Sequence, residues 1–168
     1  FMNKLILISL ILFLVYNYNA ISKENLFLSK TSNKFEQTIA SIKTSKANLR
    51  YGPGENFPIK WTYLKRHWPI ILTDKFDSWK KVKTINNNLG WMHESQISLR
   101  KTSLILFPDF LRKFPKRKSK KIAFLKKKVL VEIKICKISW CKIKVIEKNF
   151  NGWFIKNYLW KTNLIKVE

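Results

Sequence analysis

The sequence predicts an all-β protein made of two small closed barrels in tandem, preceded by an N-terminal leader helix. Three observations predict it: an internal repeat, apolar residues that alternate with a period of two, and little helical periodicity. The chain has 168 residues, of which 46% are hydrophobic and 14% aromatic, which is enough to build a core. Modules of about 60 residues bury enough apolar surface only when their sheets close on themselves.

The repeat is clearest around four tryptophans. A shift of 61 positions carries Trp79 onto Trp140. After one inserted residue Trp91 falls on Trp153, and both of these tryptophans follow a glycine. The matches predict two copies of one module.

The repeat also sets the predicted boundaries. Residues 61–66 align with residues 122–127 without a gap, and residues 104–108 take the place of residues 47–51 as the opening strand of the second copy. The expected segments are a signal peptide (1–20), a polar spacer (21–41), a first barrel (42–101) and a second, divergent and basic barrel (102–168).

The alternation of apolar residues in the second copy predicts its central hairpin. Pairing Ile133 with Ile143 and Val131 with Val145 keeps the apolar face together and leaves residues 136–140 as the turn. An Asp-Ser pair marks the equivalent turn of the first copy.

The first residues are typical of a signal peptide. Met2 is followed by a lysine and by an apolar run over residues 5–16, and Ala20 is the best cleavage position. The run is shorter than the roughly 20 residues of a spanning helix, so a cleaved leader is favoured, with an uncleaved membrane anchor as the alternative. The remainder is then exported, to the periplasm in a Gram-negative cell, where cysteines can oxidise.

The formal charge of +24 favours polyanionic partners, which are nucleic acid, anionic lipid or an acidic cell-wall polymer. Codon drift toward lysine in an AT-rich genome is the competing explanation. The sharpest charge feature is the segment 110–131, which has ten basic residues and no acidic one. We interpret its first half as a loop that is either solvated or in contact with an anionic polymer. The candidate contact residues are Arg112, Lys113, Lys116, Arg117, Lys118, Lys120 and Lys121.

Several motifs resemble those of a known family. The stretch Ala-Asn-Leu-Arg-Tyr-Gly-Pro-Gly at residues 47–54, the Trp-containing strand at 77–82 and the Gly-Trp strand at 89–97 resemble the landmarks of bacterial SH3-type domains. The Cys and Trp residues over 136–153 resemble the second half of exported tandem SH3-like proteins. The expected opening strand of the second copy lacks the Asn-x-Arg motif.

The resemblance implies an SH3-like barrel in each module, a location outside the cytoplasm, and binding of a peptide or of peptidoglycan without catalysis. It also makes Tyr51, Trp61 and Trp79 candidate residues of a ligand groove in the first module. Asn48 and Arg50 are expected to brace the neighbouring turn by hydrogen bonds.

The turn Gly52-Pro53-Gly54 is interpreted as structural. It lacks the Gly-Lys-Ser/Thr continuation of a phosphate-binding loop. We expect it to need φ values that only glycine tolerates.

Cys136 and Cys141 flank the turn of the predicted central hairpin. In an oxidising compartment they predict a disulfide, which would add about 2 kcal/mol for so short a ring. The apolar register leaves them one residue out of line, so a β-bulge must bring their Cα atoms within about 4.4 to 6.8 Å.

No pattern indicates a metal, a cofactor or an active site. His67 and His93 are the only histidines and lack partners at zinc-site spacing, and the acidic residues form no evident catalytic pair. We therefore predict a non-enzymatic binding or scaffolding protein of the cell envelope. A basic nucleic-acid or anionic-polymer binder, which export argues against, and an envelope thiol-active factor are the alternatives. No particular oligomeric state is predicted.

Overall fold

The computed structural model describes residues 35–148 and 150–165, which belong to one compact unit. The predicted leader and most of the predicted spacer lie outside the described residues. The described chain consists of antiparallel strands and short 3₁₀ helices, so the all-β prediction is confirmed. No helix in this part of the chain has the length and apolarity to cross a membrane.

The first sheet contains seven antiparallel strands. They are β1 (Thr38–Ile42), β2 (Ala47–Arg50), β3 (Ile59–Tyr63), β4 (Pro69–Phe76), β5 (Trp79–Thr84), β6 (Leu89–His93) and β7 (Ile97–Ser98). Their order in the sheet is β3-β2-β6-β5-β4-β1-β7, so the last strand returns to the first. A 3₁₀ helix at Glu94–Gln96 connects β6 to β7.

The second sheet contains six strands. They are β8 (Thr102–Leu104), β9 (Asp109–Arg112), β10 (Lys121–Leu125), β11 (Leu130–Cys136), β12 (Trp140–Val145) and β13 (Asn151–Ile155). Their order is β10-β9-β13-β12-β11-β8. A bridge between Ile105 and Leu159, after the 3₁₀ helix Lys156–Tyr158, takes the place of the β1–β7 pairing.

Each sheet encloses its own cluster of buried apolar side chains. The cluster of the first sheet includes Ile42, Leu49, Ile70, Leu72, Val82 and Met92. The cluster of the second includes Leu111, Val131, Ile133, Ile143, Val145 and Phe154. Most of these residues alternate along their strands with more exposed ones, which is why a period-two pattern predicts them.

The two barrels meet at a packed junction. Ile39 of β1 belongs to the core cluster of the second barrel. The buried hydroxyl of Thr102 donates a 2.9 Å hydrogen bond to the carbonyl of His67, and the N–H of Ile133 donates one of 2.8 Å to the carbonyl of Lys101. The Thr102–His67 hydrogen bond thus joins the two barrels across the junction.

The predicted spacer extends too far toward the C terminus. Residues 38–41 belong to β1, in which Ile39, Ala40 and Ser41 are buried. β1 closes the first barrel because it pairs with β4 on one side and with β7 on the other. A five-residue strand is too short for its period-two signal to stand out from polar surroundings.

The opening strand of the second barrel is β9, so its predicted position at residues 104–108 was wrong. β2 pairs with β3 and β6, and β9 pairs in the same way with β10 and β13. Leu104 belongs to β8, which pairs with β11 as β1 pairs with β4. The sequence alignment favoured the longer apolar run, although Arg112 stands where the first copy has Arg50.

β3 and β10 are related by a shift of 62 positions, one more than predicted. A β-bulge interrupts the register at the same place in both hairpins. The facing pairs around it are Leu49–Trp61 and Arg50–Ile59 in the first hairpin and Leu111–Ala123 and Arg112–Lys121 in the second. The second copy has one residue fewer in the following turn, where His67 and Lys128 have similar left-handed φ values of 60° and 68°.

The predicted central hairpin of the second barrel is confirmed. β11 and β12 pair Ile133 with Ile143 and Val131 with Val145. The predicted bulge follows Ile133 and shifts the register before the cysteines.

Candidate ligand-binding site

The β2–β3 hairpin, residues 47–63, carries two of the predicted groove residues, and hydrogen bonds hold its loop. The guanidinium of Arg50 donates from Nη1 to the carbonyl of Phe57 at 2.7 Å, across the loop. The Asn48 Oδ1 atom accepts from the Thr62 hydroxyl at 3.0 Å, and the Asn48 N–H donates to the Gln96 side chain at 2.9 Å. The side chains of Asn48 and Arg50 are therefore bonded within their own hairpin.

Space, not backbone angle, requires glycine in the Gly52-Pro53-Gly54 turn. No described glycine has a positive φ, which corrects the prediction that only glycine's φ range allows this turn. Gly52 is buried against the ring of Phe57, and a Cβ atom at this position would overlap that ring. The turn is closed by the N–H of Gly54, which donates to the carbonyl of Gly52 at 3.1 Å.

Two large aromatic rings of this hairpin face solvent. Tyr51 is 64% exposed and Trp61 is 52% exposed. The ammonium of Lys60 lies 5.2 Å from the centre of the Tyr51 ring and donates a 3.1 Å hydrogen bond to the carbonyl of Leu89. Tyr51 is thereby held near the Leu89 end of β6.

Trp79, the third predicted groove residue, lies at the other end of β6. It pairs across the strands with His93, and the two rings meet edge to face with their centres 5.3 Å apart. The length of β6 separates this pair from the Leu89 end by about 13 Å. The structure thus brings Tyr51 and Trp61 onto one hairpin and places Trp79 elsewhere.

The β9–β10 hairpin, residues 109–125, has the same loop backbone as the β2–β3 hairpin. In the first loop Tyr51 N bonds to Pro58 O at 3.2 Å, Gly54 N to Gly52 O at 3.1 Å and Phe57 N to Gly54 O at 3.3 Å. In the second loop Lys113 N bonds to Lys120 O at 3.0 Å, Lys116 N to Phe114 O at 2.8 Å and Ser119 N to Lys116 O at 3.0 Å. All six bonds join equivalent positions at a shift of 62.

Six of the seven predicted anionic-contact residues are exposed on this second hairpin. They are Lys113, Lys116, Arg117, Lys118, Lys120 and Lys121. Arg112 is different, because it is only 7% exposed and its guanidinium lies 3.6 Å from the carboxylate of Asp109. Its proposed contact with a polymer is contradicted by this burial. Arg112 is instead the counterpart of Arg50.

Aromatic side chains replace the polar pair on the β9–β10 hairpin. Phe110 and Phe124 face each other with ring centres 5.0 Å apart, at the positions of Asn48 and Thr62. The ammonium of Lys121 lies 4.1 Å from the centre of the Phe110 ring. Sequence reasoning missed these two rings, and the available signal was a phenylalanine beside a leucine on each strand, Phe110-Leu111 and Phe124-Leu125.

A family model described as the bacterial SH3 domain matches residues 43–98 and residues 109–161. The chain belongs to the bacterial SH3 domain family. Each matched segment covers most of one sheet, so the resemblance to bacterial SH3-type domains is confirmed. Among curated proteins, none matches the sequence.

Three solved structures are similar to these tandem bacterial SH3 domains at low identity. They are NlpC1 from Trichomonas vaginalis (12% identity, TM-score 0.35, covering 77% of this chain and 48% of that one), NlpC2 from the same organism (13%, 0.34, 73% and 47%) and an NlpC/P60 family protein from Bacillus cereus (16%, 0.32, 73% and 55%). The chain spans about half the length of each of these proteins.

The second bacterial SH3 domain contains the predicted disulfide. Cys136 and Cys141 are bonded and face each other across β11 and β12, with their Cα atoms 4.0 Å apart. Both cysteines are buried in the core cluster of this domain. The bulge after Ile133 supplies the predicted change of register, although the Cα distance is slightly shorter than expected.

His67 lies at the junction of the two bacterial SH3 domains. Its Nδ1 atom is buried and has no hydrogen-bond partner among the described residues. Burial lowers the pKa of this imidazole from its ordinary value, and the charges of Arg100 and Arg66 act in the same direction, while Glu132 acts against them. Among residues 35–148 and 150–165, no group of three or more His, Cys, Asp or Glu side chains is placed to hold a metal ion.

Proposed function

We propose that the protein is a non-catalytic binding or scaffolding protein of the cell envelope, whose first bacterial SH3 domain recognises a peptide or a peptidoglycan strand. The observation that carries this proposal is the exposure of the Tyr51 and Trp61 rings on one braced hairpin. Large aromatic rings are typical anchors of binding surfaces, since they bury much area on contact.

The bracing of the hairpin supports a role in recognition. Arg50 fixes the loop, Asn48 fixes the two strands to each other, and Lys60 ties β3 to β6. A ligand that binds a surface held in this way loses less free energy to ordering the protein. The preorganised hairpin is therefore a better binding element than a free loop of the same composition.

Export is part of the proposal and rests on the leader-like residues 2–20. A reporter that is active only outside the cytoplasm, fused after residue 40, tests it. Activity comparable to that from a known signal peptide is expected. Reporter retained in the cytoplasm would contradict the envelope location and favour the nucleic-acid alternative.

The thiol-active alternative has less support. Cys136 and Cys141 are 1% and 0% exposed, so neither sulfur is open to an attacking thiolate. A surface binding role for the aromatic rings requires no such access.

Retention on insoluble peptidoglycan tests recognition by the first domain. The protein without residues 1–20, which keeps every described strand, should remain bound at both low and high salt, because groove contacts are screened less than surface charge. The double variant Tyr51→Ser and Trp61→Ser should lose retention. The control Leu99→Ser removes another exposed apolar side chain, 73% exposed and outside the hairpin, and should behave as the parent. Retention that disappears at moderate salt, or that survives the double variant, would contradict the proposal.

A further inference from the structure

The tips of the two equivalent hairpins differ in charge while sharing a backbone. Residues 51–59 contain one acidic residue and no basic one, whereas residues 113–121 contain six basic residues and no acidic one. Within the part of the chain that the structure describes, none of these six has a salt-bridge partner. The nearest acidic residue along the chain, Asp109, is paired with Arg112. The positive charge of the second tip is therefore not neutralised by its own hairpin.

The same hairpin exposes apolar side chains where its counterpart is polar or has no side chain. Phe114 is 56% exposed in the place of Gly52, and Phe124 is 53% exposed in the place of Thr62. Ile122 is 44% exposed at the bulge, where the first hairpin has Lys60. Exposing these side chains does not stabilise the monomer. Their position among lysines marks an amphipathic contact surface.

The combination favours a lipid surface over a polymer in solution. A polyanion with stacking groups would use the phenylalanines but not an aliphatic side chain, because Ile122 has no π face. The boundary between headgroups and acyl chains accepts phenylalanine and isoleucine equally, beside lysines that meet anionic headgroups. Lysine supplies point charges without the fixed geometry of arginine, which suits mobile headgroups.

We propose that the β9–β10 hairpin docks the second bacterial SH3 domain on a membrane surface that carries phosphate-bearing anionic lipids. The lysines of residues 113–121 contact the headgroups, and Phe114, Ile122 and Phe124 enter the boundary beneath them. This docking is independent of recognition by the first domain, whose corresponding hairpin tip carries no basic residue.

Vesicle co-sedimentation tests the proposal, with the protein lacking residues 1–20 so that the apolar leader cannot bind lipid by itself. Vesicles of phosphatidylglycerol should bind the protein and vesicles of phosphatidylcholine should not. The triple variant Lys116→Gln, Arg117→Gln and Lys118→Gln should weaken binding by about 100-fold at low salt. The control Leu99→Ser, which removes an exposed apolar side chain outside both hairpins, should bind as the parent. Failure of the parent to bind phosphatidylglycerol vesicles would overturn the proposal.

Two further variants separate lipid insertion from charge alone. The double variant Phe110→Asn and Phe124→Thr copies the Asn48–Thr62 pair of the first hairpin and should weaken vesicle binding by on the order of 10-fold. The variant Ile122→Lys copies Lys60 and adds a positive charge, so attraction by charge alone predicts tighter binding, whereas insertion predicts weaker binding. Tighter binding of Ile122→Lys would overturn the lipid proposal. So would binding of soluble polyphosphate that exceeds vesicle binding and is unaffected by the loss of both rings.

Discussion

The β2–β3 and β9–β10 hairpins fold in the same way although the loops 51–59 and 113–121 share only one residue, the proline at positions 53 and 115. They have equivalent loop hydrogen bonds, an equivalent bulge, and a glycine on the neighbouring strand against which each hairpin packs. At every other equivalent position of the two loops the residues differ. A few close backbone contacts therefore determine the conformation of this hairpin, and most residues of the tip are free to acquire a different surface chemistry.

Each loop also contains one phenylalanine, which lies near the end of the first loop and near the start of the second. In the first loop Phe57 covers Gly52, while in the second Phe114 occupies the glycine position and Ser119 the phenylalanine position. The Ser119 hydroxyl accepts a 2.9 Å hydrogen bond from the N–H of Phe114. An exchange of a small and a large residue thus leaves the backbone unchanged.

The largest loss of stability should come from substituting Gly90 and Gly152, the glycines on the strands next to the two hairpins. A Cβ atom on Gly90 would lie 2.6 Å from the carbonyl oxygen of Arg50, and one on Gly152 would lie 2.7 Å from that of Arg112. Gly90→Ala and Gly152→Ala should each lower the free energy of unfolding by about 3 kcal/mol, because backbone must move. Denaturant unfolding measures this. Gly54→Ala is the matched control, because the nearest contact of its Cβ atom would be 3.3 Å. If Gly90→Ala or Gly152→Ala left the free energy of unfolding unchanged, the two glycines would not have the equivalent role described here.

The next largest loss of stability should come from removing the disulfide, which is present in the second barrel and not in the first. Replacing Cys136 and Cys141 together by alanine should lower the free energy of unfolding by about 2 kcal/mol, since the reduced chain loses a short cross-link. The equivalent hairpin of the first barrel turns at Asp77-Ser78 without one. An unchanged unfolding midpoint would show that the bulged register of β11 and β12 is stable by itself.

The exchanged positions of the phenylalanines predict a smaller loss of stability, which a second substitution should reverse. Gly52→Phe alone should lower the free energy of unfolding by about 2 kcal/mol, because two rings then compete for one position. Adding Phe57→Ser copies the second loop and should restore most of the loss. A double-mutant cycle measures the coupling, and simple additivity of the two changes would be the contrary result.

The smallest effect should be a pH dependence of stability caused by His67. This residue occupies the turn at which the second barrel has Lys128. Folding lowers the pKa of His67, so the unfolded chain binds the proton more readily. The contribution of His67 to stability is then complete above its ordinary pKa of 6.5 and is lost as the pH falls below it. His67→Asn, which tolerates the left-handed φ, should remove this part of the pH dependence in thermal unfolding. Identical pH profiles of the parent and the variant would contradict it.

The sequence predicted the repeat, the central hairpin pairs and the disulfide, because each is carried by alternating apolar residues or by paired landmarks. It placed β9 wrongly, since the apolar run at residues 104–107 imitates an opening strand and only pairing partners distinguish the two. It missed β1 because three apolar residues give little periodic signal.

The sequence placed Tyr51, Trp61 and Trp79 together as candidate groove residues. Tyr51 and Trp61 are exposed on one hairpin, as a ligand surface requires, but Trp79 lies at the far end of β6, a separation that depends on strand order. Arg112 was assigned to the basic surface because the sequence does not show which basic residue of the segment 110–131 is buried. The Phe110–Phe124 pair needed the register of β9 and β10, which the bulge shifts by one residue.

Side-chain chemistry alone distinguishes these two hairpins, since their backbones are equivalent. The most direct measurement is the free energy of unfolding of a chimera in which residues 113–121 are replaced by a copy of residues 51–59. We expect a value within about 1 kcal/mol of the parent, since the copied loop brings its own Gly-Phe contact and the closing hydrogen bonds are the same. A loss of about 3 kcal/mol or more would show that the two hairpins are not interchangeable.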